Sequence, residues 1–385
     1  MSKKQRVAIV IDLDWPFKFV YEYLVGISRF ASGTEDWQCR IDPHAGETLA
    51  RCPKQPPYDA IIGDVSKRLL EQARRHQLPV VNVWKNSPVF AQTPSVVSDE
   101  HQVGAMAAEH LIARGLRTFG YLGFHRRRDT RHQRDGFDAA LARSGFKSST
   151  LLVSYQAVAT YQSWSKFRRQ LDDWVPTWKP PIGVFVGHDL TCRYLAEATL
   201  THGLNVPNDV ALIAAHNETA FNENITPTLS SIDLGHERIG HRAAELLDGL
   251  IKGQRPPEAP LYIPPTKLIV RQSTDVFAVD DPSVSLALRF ISEHSHEAIR
   301  VDDVAEHVAV SRRSLERKFQ DVIGRSIADE ITRLRLERVK RRLIESDDSI
   351  QILALESGFV DSTKMCRVFR REMGVSPGEY RNSKR

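Results

Sequence analysis

Apolar positions along the chain change their period near residue 280, and that change divides the molecule. Before it, short continuous apolar runs alternate with longer amphipathic stretches. Residues 7–11, 38–41, 59–63, 79–83 and 95–97 read as strands. Between them lie a helix with Val20, Leu24 and Ile27 on one face, and helical stretches over 67–76 and 102–114. The pattern then restarts, with strands over 118–123, 151–153, 181–186 and 210–214 and helices over 131–143, 161–174 and 190–202. Continuous apolar strands separated by helices imply a parallel sheet covered on both faces, so two doubly wound lobes in series are expected. Residues 235–253 should return to the first lobe and 266–271 to the second, with 252–260 as a surface loop.

After residue 280 the period is helical throughout. Asp281 and Pro282 suit the N-cap and first position of a helix, on which Val284, Leu288 and Ile291 share a face. A short helix carrying Val301, Val304, Ala305 and Val308 runs into a tight turn at Ala309-Val310 and restarts at Ser311, a side chain suited to an N-cap. Leu315 and Phe319 face inward on this second helix, which turns Arg312, Arg313, Glu316 and Arg317 outward. The arrangement recurs from Ser349: Ile350, Leu353 and Ala354 are apolar, the chain turns at Ser357-Gly358-Phe359, and Asp361 caps the next helix. There Met365, Val368 and Phe369 face inward, leaving Ser362, Thr363, Lys364, Arg367, Arg370 and Arg371 outward. Two helix-turn-helix units are predicted, joined by a helix over 331–344 that lacks Gly and Pro. Held rigidly, two such recognition helices can enter successive major-groove turns roughly 34 Å apart.

Length and charge refine this picture without creating it. A chain of 385 residues exceeds one ordinary core, and its 41% hydrophobic and 26% charged content is that of a globular protein. The segment 284–385 holds 20 Lys/Arg against 17 Asp/Glu, so the argument for nucleic acid rests on where the cations lie rather than on bulk charge. No apolar run is long enough for a membrane span, and Asp12 and Asp14 interrupt the N-terminal stretch that a signal peptide would need. Cys39, Cys52, Cys192 and Cys366 form no C-x-x-C pair, which argues against a zinc site or a disulfide framework and fits a reducing cytoplasm. No cofactor or metal is expected. Phosphate-cradling glycine loops and nucleophile elbows are missing, and His236 and His241 stand five apart, off a common helical face. An enzyme is therefore not the reading. A purely architectural DNA binder would have no need of a two-lobed cleft.

The closing segment resembles the AraC-type DNA-binding domain, on Ser311-Arg-Arg-Ser-Leu-Glu-Arg-Lys-Phe319, Arg333-Leu-Arg-Leu-Glu-Arg338, Ser357-Gly-Phe359, Arg367-Val-Phe-Arg370 and Gly374-Val-Ser-Pro-Gly-Glu-Tyr-Arg381. By that resemblance Arg313, Glu316 and Arg317 match the base-reading positions of the first unit, and Thr363, Lys364 and Arg367 those of the second. Met365 stands where the family is usually aromatic, and Ala309 where it usually has a turn glycine. Upstream, Ser98-Asp99, Leu111-Ile-Ala-Arg-Gly115, Arg134-Asp-Gly-Phe137, His188-Asp-Leu190, Gly203-Leu-Asn-Val-Pro-Asn-Asp-Val-Ala-Leu-Ile213, Gly240-His-Arg-Ala-Ala-Glu-Leu-Leu247 and Leu268-Ile-Val-Arg-Gln-Ser-Thr274 resemble the sensor of LacI-type regulators, itself similar to periplasmic sugar-binding proteins. The resemblances imply a type I periplasmic-binding-protein-like sensor over 1–275, a linker over 276–283 and an all-α reader with two helix-turn-helix motifs over 284–385.

Ligands of open parallel sheets sit beyond the carboxyl ends of the strands. Asp14, Trp15, Phe17, Asp99, His188, Asp189, His216 and Asn217 are expected there. Arg134 and Asp189 match sugar-contacting positions in the sensor family, and Trp15 and Phe17 offer stacking surface. His216-Asn217 and Leu234 replace the aspartate and glutamine usual in that family. A LacI-like sensor ahead of an AraC-like reader is similar to the regulators of xylose operons. That pairing implies a homodimer switched by a small sugar, a pentose such as xylose, which binds double-stranded operator DNA and activates transcription through RNA polymerase. Repression, or a different small polar metabolite, is the alternative.

Overall fold

Alternate residues of the first strand already divide the first lobe into layers. In β1 (Gln5–Val10), Val7 and Ile9 point into one core while Ala8 and Val10 point into another. The computed structural model describes residues 4–13, 17–34, 36–52, 54–224, 226–275, 281–346 and 348–384. The chain forms two compact units, residues 1–276 and 277–385.

In chain order the first unit continues with α1 (Lys18–Thr34), β2 (Trp37–Ile41), α2 (Ala45–Ala50), β3 (Ala60–Gly63), α3 (Lys67–Arg75), β4 (Val80–Asn82), β5 (Val96–Ser98) and α4 (Glu100–Ala113). Next come β6 (Thr118–Phe124), α5 (Arg128–Arg143), β7 (Ser148–Val153), α6 (Tyr161–Trp174), β8 (Ile182–Val186) and α7 (Asp189–Thr201). The unit closes with β9 (Val210–Ala215), α8 (Thr219–Asn222), β10 (Ser230–Asp233), α9 (His236–Ile251), β11 (Leu261–Ile263) and β12 (Lys267–Ile269).

The first lobe is a parallel sheet of order β2-β1-β3-β4, extended through an Asn82–Ser95 bridge to the parallel pair β5-β11. Helices α1 and α9 cover one face, and α2 and α3 the other. The second lobe has the order β12-β10-β9-β8-β6-β7, parallel except for β12. Leu122, Val184, Val186 and Leu212 on one face of that sheet pack on Phe167, Leu171 and Leu195 of α6 and α7. On the other face Phe119, Tyr121 and Phe185 surround Phe137 of α5. The chain thus changes lobe three times: after β5, after β10, and between β11 and β12.

The elements without a counterpart in the sequence pattern include α8, β11, β10 and α2. β10 begins Ser230-Ser231, which reads as polar, yet both residues are wholly buried because their hydroxyls are satisfied inside the lobe. α2 is a six-residue turn of helix whose Ala45 and Leu49 fill the first core.

The second unit is all helical: α10 (Pro282–His294), α11 (Val301–Val308), α12 (Arg312–Ile323), α13 (Ile327–Glu345), α14 (Ile350–Glu356), α15 (Ser362–Met373) and α16 (Pro377–Lys384). The Asp281 carboxylate accepts from the amides of Ser283 and Val284, so α10 starts inside the stretch expected to be linker, and residues 276–280 lie outside the described residues. Each recognition helix carries its expected cap: Ser311 Oγ accepts from Ser314 N, and Asp361 Oδ1 from Lys364 N. Ala309 ends α11 at φ 57°, the left-handed conformation that glycine takes without steric cost.

Candidate functional site

Carboxyl ends of the strands in both lobes converge on a cavity of about 260 Å³, near the small end of ligand sites. The second lobe supplies His188, one residue before α7, and His216, one residue after β9. His216 and Asn217 are both left-handed, at φ 91° and 55°, so the chain doubles back directly behind β9. The first lobe adds His236, at the start of α9, together with Phe19 and Tyr23 of α1. His216 stacks flat on His236 at 5.5 Å and lies 5.3 Å from His188, while Phe19 approaches His216 at 5.4 Å and His236 at 5.2 Å. Burial pushes His188 down to about 4 and His216 well below the ordinary imidazole range, with neighbouring cations acting in the same direction. Both rings are neutral at pH 7, and each offers one donor and one acceptor. Nδ1 of His216 is buried and has no hydrogen-bond partner among the described residues.

Charged groups line the remaining wall: Asp12 and Asp64 beyond β1 and β3, Lys85 beyond β4, Glu100 at the start of α4, and Arg127 and Asp129 beyond β6. Lys85 Nζ donates to Ser98 O at 3.0 Å. Burial lowers its ammonium pKa, against the pull of Glu100. Burial raises Glu100, opposed by Lys85, and the carboxylate accepts from Ser98 Oγ and, at 2.8 Å, from Gln133 Nε2. Asp129 is buried too, but its 2.6 Å ion pair with Arg127 outweighs burial and holds it below the usual carboxylate value. Among the described residues no cation offsets burial at Asp64. Its surroundings, and then Asp12, push it up to about 7.

Each lobe also caps a helix of the other. Asn86 Oδ1, from the first lobe, accepts from Arg128 N at 2.7 Å at the start of α5, whose own N-cap residue Arg127 makes no side-chain cap. Glu218, from the second lobe, accepts from Lys18 N at 2.9 Å and Phe19 N at 3.3 Å at the start of α1. Behind Glu218 stands Asp189, wholly buried, whose carboxylate accepts from Glu218 N and Ser231 Oγ, both at 2.7 Å. Burial drives Asp189 up to about 7 in spite of those bonds.

Of the residues expected to meet a ligand, His188 and His216 line the cavity, whereas Asp99 caps α4 by accepting from Gln102 N. Phe17 lies beside the cavity, edge-on to His188 at 5.0 Å and stacked on Phe19 at 5.8 Å. Asp14 and Trp15 are outside the described residues. Asp189 and Asn217 sit behind the wall, Asn217 accepting from Arg271 at 2.9 Å. Arg134 is not brought to the cavity: its guanidinium turns toward Asp135 at 3.6 Å, while the preceding Gln133 faces inward. Asp64, Lys85 and Arg127 went unnoticed in the sequence, although the rule that ligands lie beyond strand ends applies to each.

On the recognition helices, Leu315 and Phe319 of α12 and Met365 and Phe369 of α15 are fully buried, so Met365 packs into the core at the position where AraC-type domains usually carry an aromatic ring. Arg313, Arg317, Thr363, Lys364 and Arg367 are exposed, with Glu316 and Ser362 half-buried. Among the described residues, Arg313, Arg317, Lys364 and Arg367 make no ion pair. Arg312 differs, since Glu316 and Asp302 hold it at 3.0 and 3.1 Å.

A two-lobed cavity followed by paired helix-turn-helix units with unpaired cations defines a ligand-sensing transcriptional regulator. A periplasmic binding protein-like domain model matches residues 108–274, and a helix-turn-helix domain model matches residues 304–383. The chain joins a periplasmic-binding-protein-like sensor to an AraC-type DNA reader, and it is a DNA-binding regulator of transcription, not an enzyme. It is 27% identical over 392 residues to the xylose operon regulatory protein of Escherichia coli K12, covering 99% of this chain and 98% of that protein. The Haemophilus influenzae protein of the same name is 26% identical over 85% of this chain and 86% of its own length. Among solved structures, a xylose-binding transcription activator superposes with a TM-score of 0.73 at 22% identity over 99% of both chains. A regulator in complex with cellobiose matches 71% of this chain and 86% of its own with a TM-score of 0.57 at 20% identity. These superpositions establish the fold. No helix among the described residues is long and apolar enough to cross a membrane.

Proposed function

We propose that the cavity binds a small sugar, a pentose such as xylose, and that its occupancy holds the lobes together and activates transcription from DNA bound by the reader. The observation that carries this reading is the make-up of the cavity wall. Phe19, Tyr23 and three histidine rings form one side, suited to the apolar face of a sugar ring, while Lys85, Arg127, Asp12 and Asp64 supply the donors and acceptors that hydroxyls need. Four carboxylates beside two cations (Asp12, Asp64, Glu100 and Asp129 against Lys85 and Arg127) disfavour a phosphorylated or acidic sugar. The names of the two relatives support xylose, and the AraC-type reader supports activation. A homodimer formed through the first lobe rests on the resemblance of the sensor to that of LacI-type regulators.

Calorimetry with xylose, arabinose, ribose and glucose tests the proposal. Xylose should bind the wild type, and Lys85→Ala and Arg127→Ala should each weaken it by about tenfold or more, since a hydrogen bond to a charged group is worth roughly 1.5–3 kcal/mol. Binding undisturbed by both substitutions would put the sugar elsewhere. Sedimentation of the same samples as monomers would remove the homodimer.

A further inference from the structure

The reader has two cores, and one helix belongs to both. Ile327 and Ile331 of α13, with Leu334 packed against them, complete the core of α10, α11 and α12. Leu336, Val339 and Leu343 of the same helix complete the core of α14 and α15. Arg335 stands at the changeover, between the last residue that serves the first core and the first that serves the second. Its guanidinium crosses to the turn after α10, donating from Nε to Ser295 O at 3.1 Å and from a terminal nitrogen to Glu297 O at 2.7 Å and Ile299 O at 3.0 Å. The second module meets the same turn from its own side. Gly358, in the turn between α14 and α15, is left-handed at φ 79°, and any Cβ there would collide with the carbonyl oxygens of Ser295 and Glu297 and with Arg335 Nε. Three carbonyls of one module, a guanidinium on the shared helix and a glycine of the other module therefore meet at one seam.

We propose that Arg335, with Gly358 packed beside it, is a positioning residue that fixes the separation and relative angle of the recognition helices α12 and α15, and so fixes the spacing of the two DNA half-sites that one chain reads. Arg335 does not touch DNA in this role. Continuity of α13 keeps the modules at a set distance along the helix. The orientation of each module about that helix depends on what joins them beside it, and the planar guanidinium fork ties the turn after α10 to the shared helix through three bonds at once. Recognition of two major-groove turns requires that orientation, whereas recognition of one does not.

The test uses the full-length protein and an operator selected in vitro with the wild type, together with versions carrying one inserted base pair between the half-sites and versions keeping a single half-site. The wild type should lose affinity sharply on insertion. Arg335→Ala should bind the original operator about tenfold more weakly, matching the loss of charge-assisted bonds, bind single half-sites as the wild type does, and discriminate the inserted operator by twofold or less. Arg335→Lys keeps the charge but not the fork, and should fall between the two; it carries the test if Arg335→Ala melts below the assay temperature. Equal proportional losses on all three DNAs, or no loss on any, would overturn the proposal. So would a wild type indifferent to the insertion, since no spacing would then be set.

Discussion

Asp64, just beyond β3, is a carboxylate whose surroundings favour its proton. Its pKa of about 7, raised by burial and by Asp12, lies above the roughly 3.9 of an unfolded aspartate. The stability linked to that proton is complete below the unfolded value and is lost as pH rises through about 7. Asp189 acts with the same sign. His188 and His216, held neutral by burial, act with the opposite sign, so the contribution of Asp64 is read as a difference: Asp64→Asn should gain more over wild type at pH 8 than at pH 5. Identical pH slopes in thermal melts would contradict the assignment. Position beyond a strand was legible in the sequence; direction was not. Gln133 and Arg134 are adjacent on α5, and one residue turns a helical side chain by about 100°, enough to point one at Glu100 and the other at Asp135. Asp189 looked like a ligand because it follows a strand, but the helix starting at that residue draws its carboxylate onto the Glu218 amide.

Each lobe holds one pair of helices in backbone contact. A Cβ on Gly26 of α1 would strike Glu237 O of α9, and one on Gly240 of α9 would strike Tyr23 O of α1. In the second lobe a Cβ on Gly104 of α4 would strike Gln133 O of α5, and one on Gly136 would strike His101 O. Gly136→Ala should cost the sensor roughly 3 kcal/mol, the upper range for overpacking. Gly33→Ala, on the open face of α1 where an added Cβ meets nothing within 4 Å, should stabilise by up to about 1 kcal/mol. Urea titrations of both variants check the contrast; equal effects would mean that the crossing is not tight. Most strands of these lobes were legible because buried parallel strands are uniformly apolar; β11, only half-buried with Tyr262 exposed, was missed. β10 was missed because its serines are buried for their hydroxyls: Ser231 holds Asp189, and Ser230 meets Thr274 at 2.7 Å. In the reader both helix-turn-helix units were legible, since caps and inward faces are local features, whereas the seam at Arg335 depends on residues forty positions apart.

At the scale of the whole molecule, the reciprocal caps tie ligand binding to lobe closure. A side-chain cap is worth about 1 kcal/mol, so Glu218→Ala should weaken the proposed sugar by roughly five- to tenfold without touching it. Operator DNA should change sugar affinity by the same factor that sugar changes operator affinity, because coupling between two binding sites is reciprocal. Calorimetry with and without operator measures that factor; a sugar affinity unchanged by operator, or a Glu218→Ala protein that binds sugar normally, would remove closure as the link. The three changes of lobe carry a different consequence, for synthesis. Neither lobe is a continuous length of chain: the first lacks α9 until residue 251 has been made, and the second lacks its edge strand until residue 269. As the chain leaves the ribosome from its N-terminus, early segments must wait for late ones, and the effector cavity cannot be completed before about two-thirds of the chain exists. The reader, contiguous and downstream of residue 276, is made only after every element of the sensor has been synthesised.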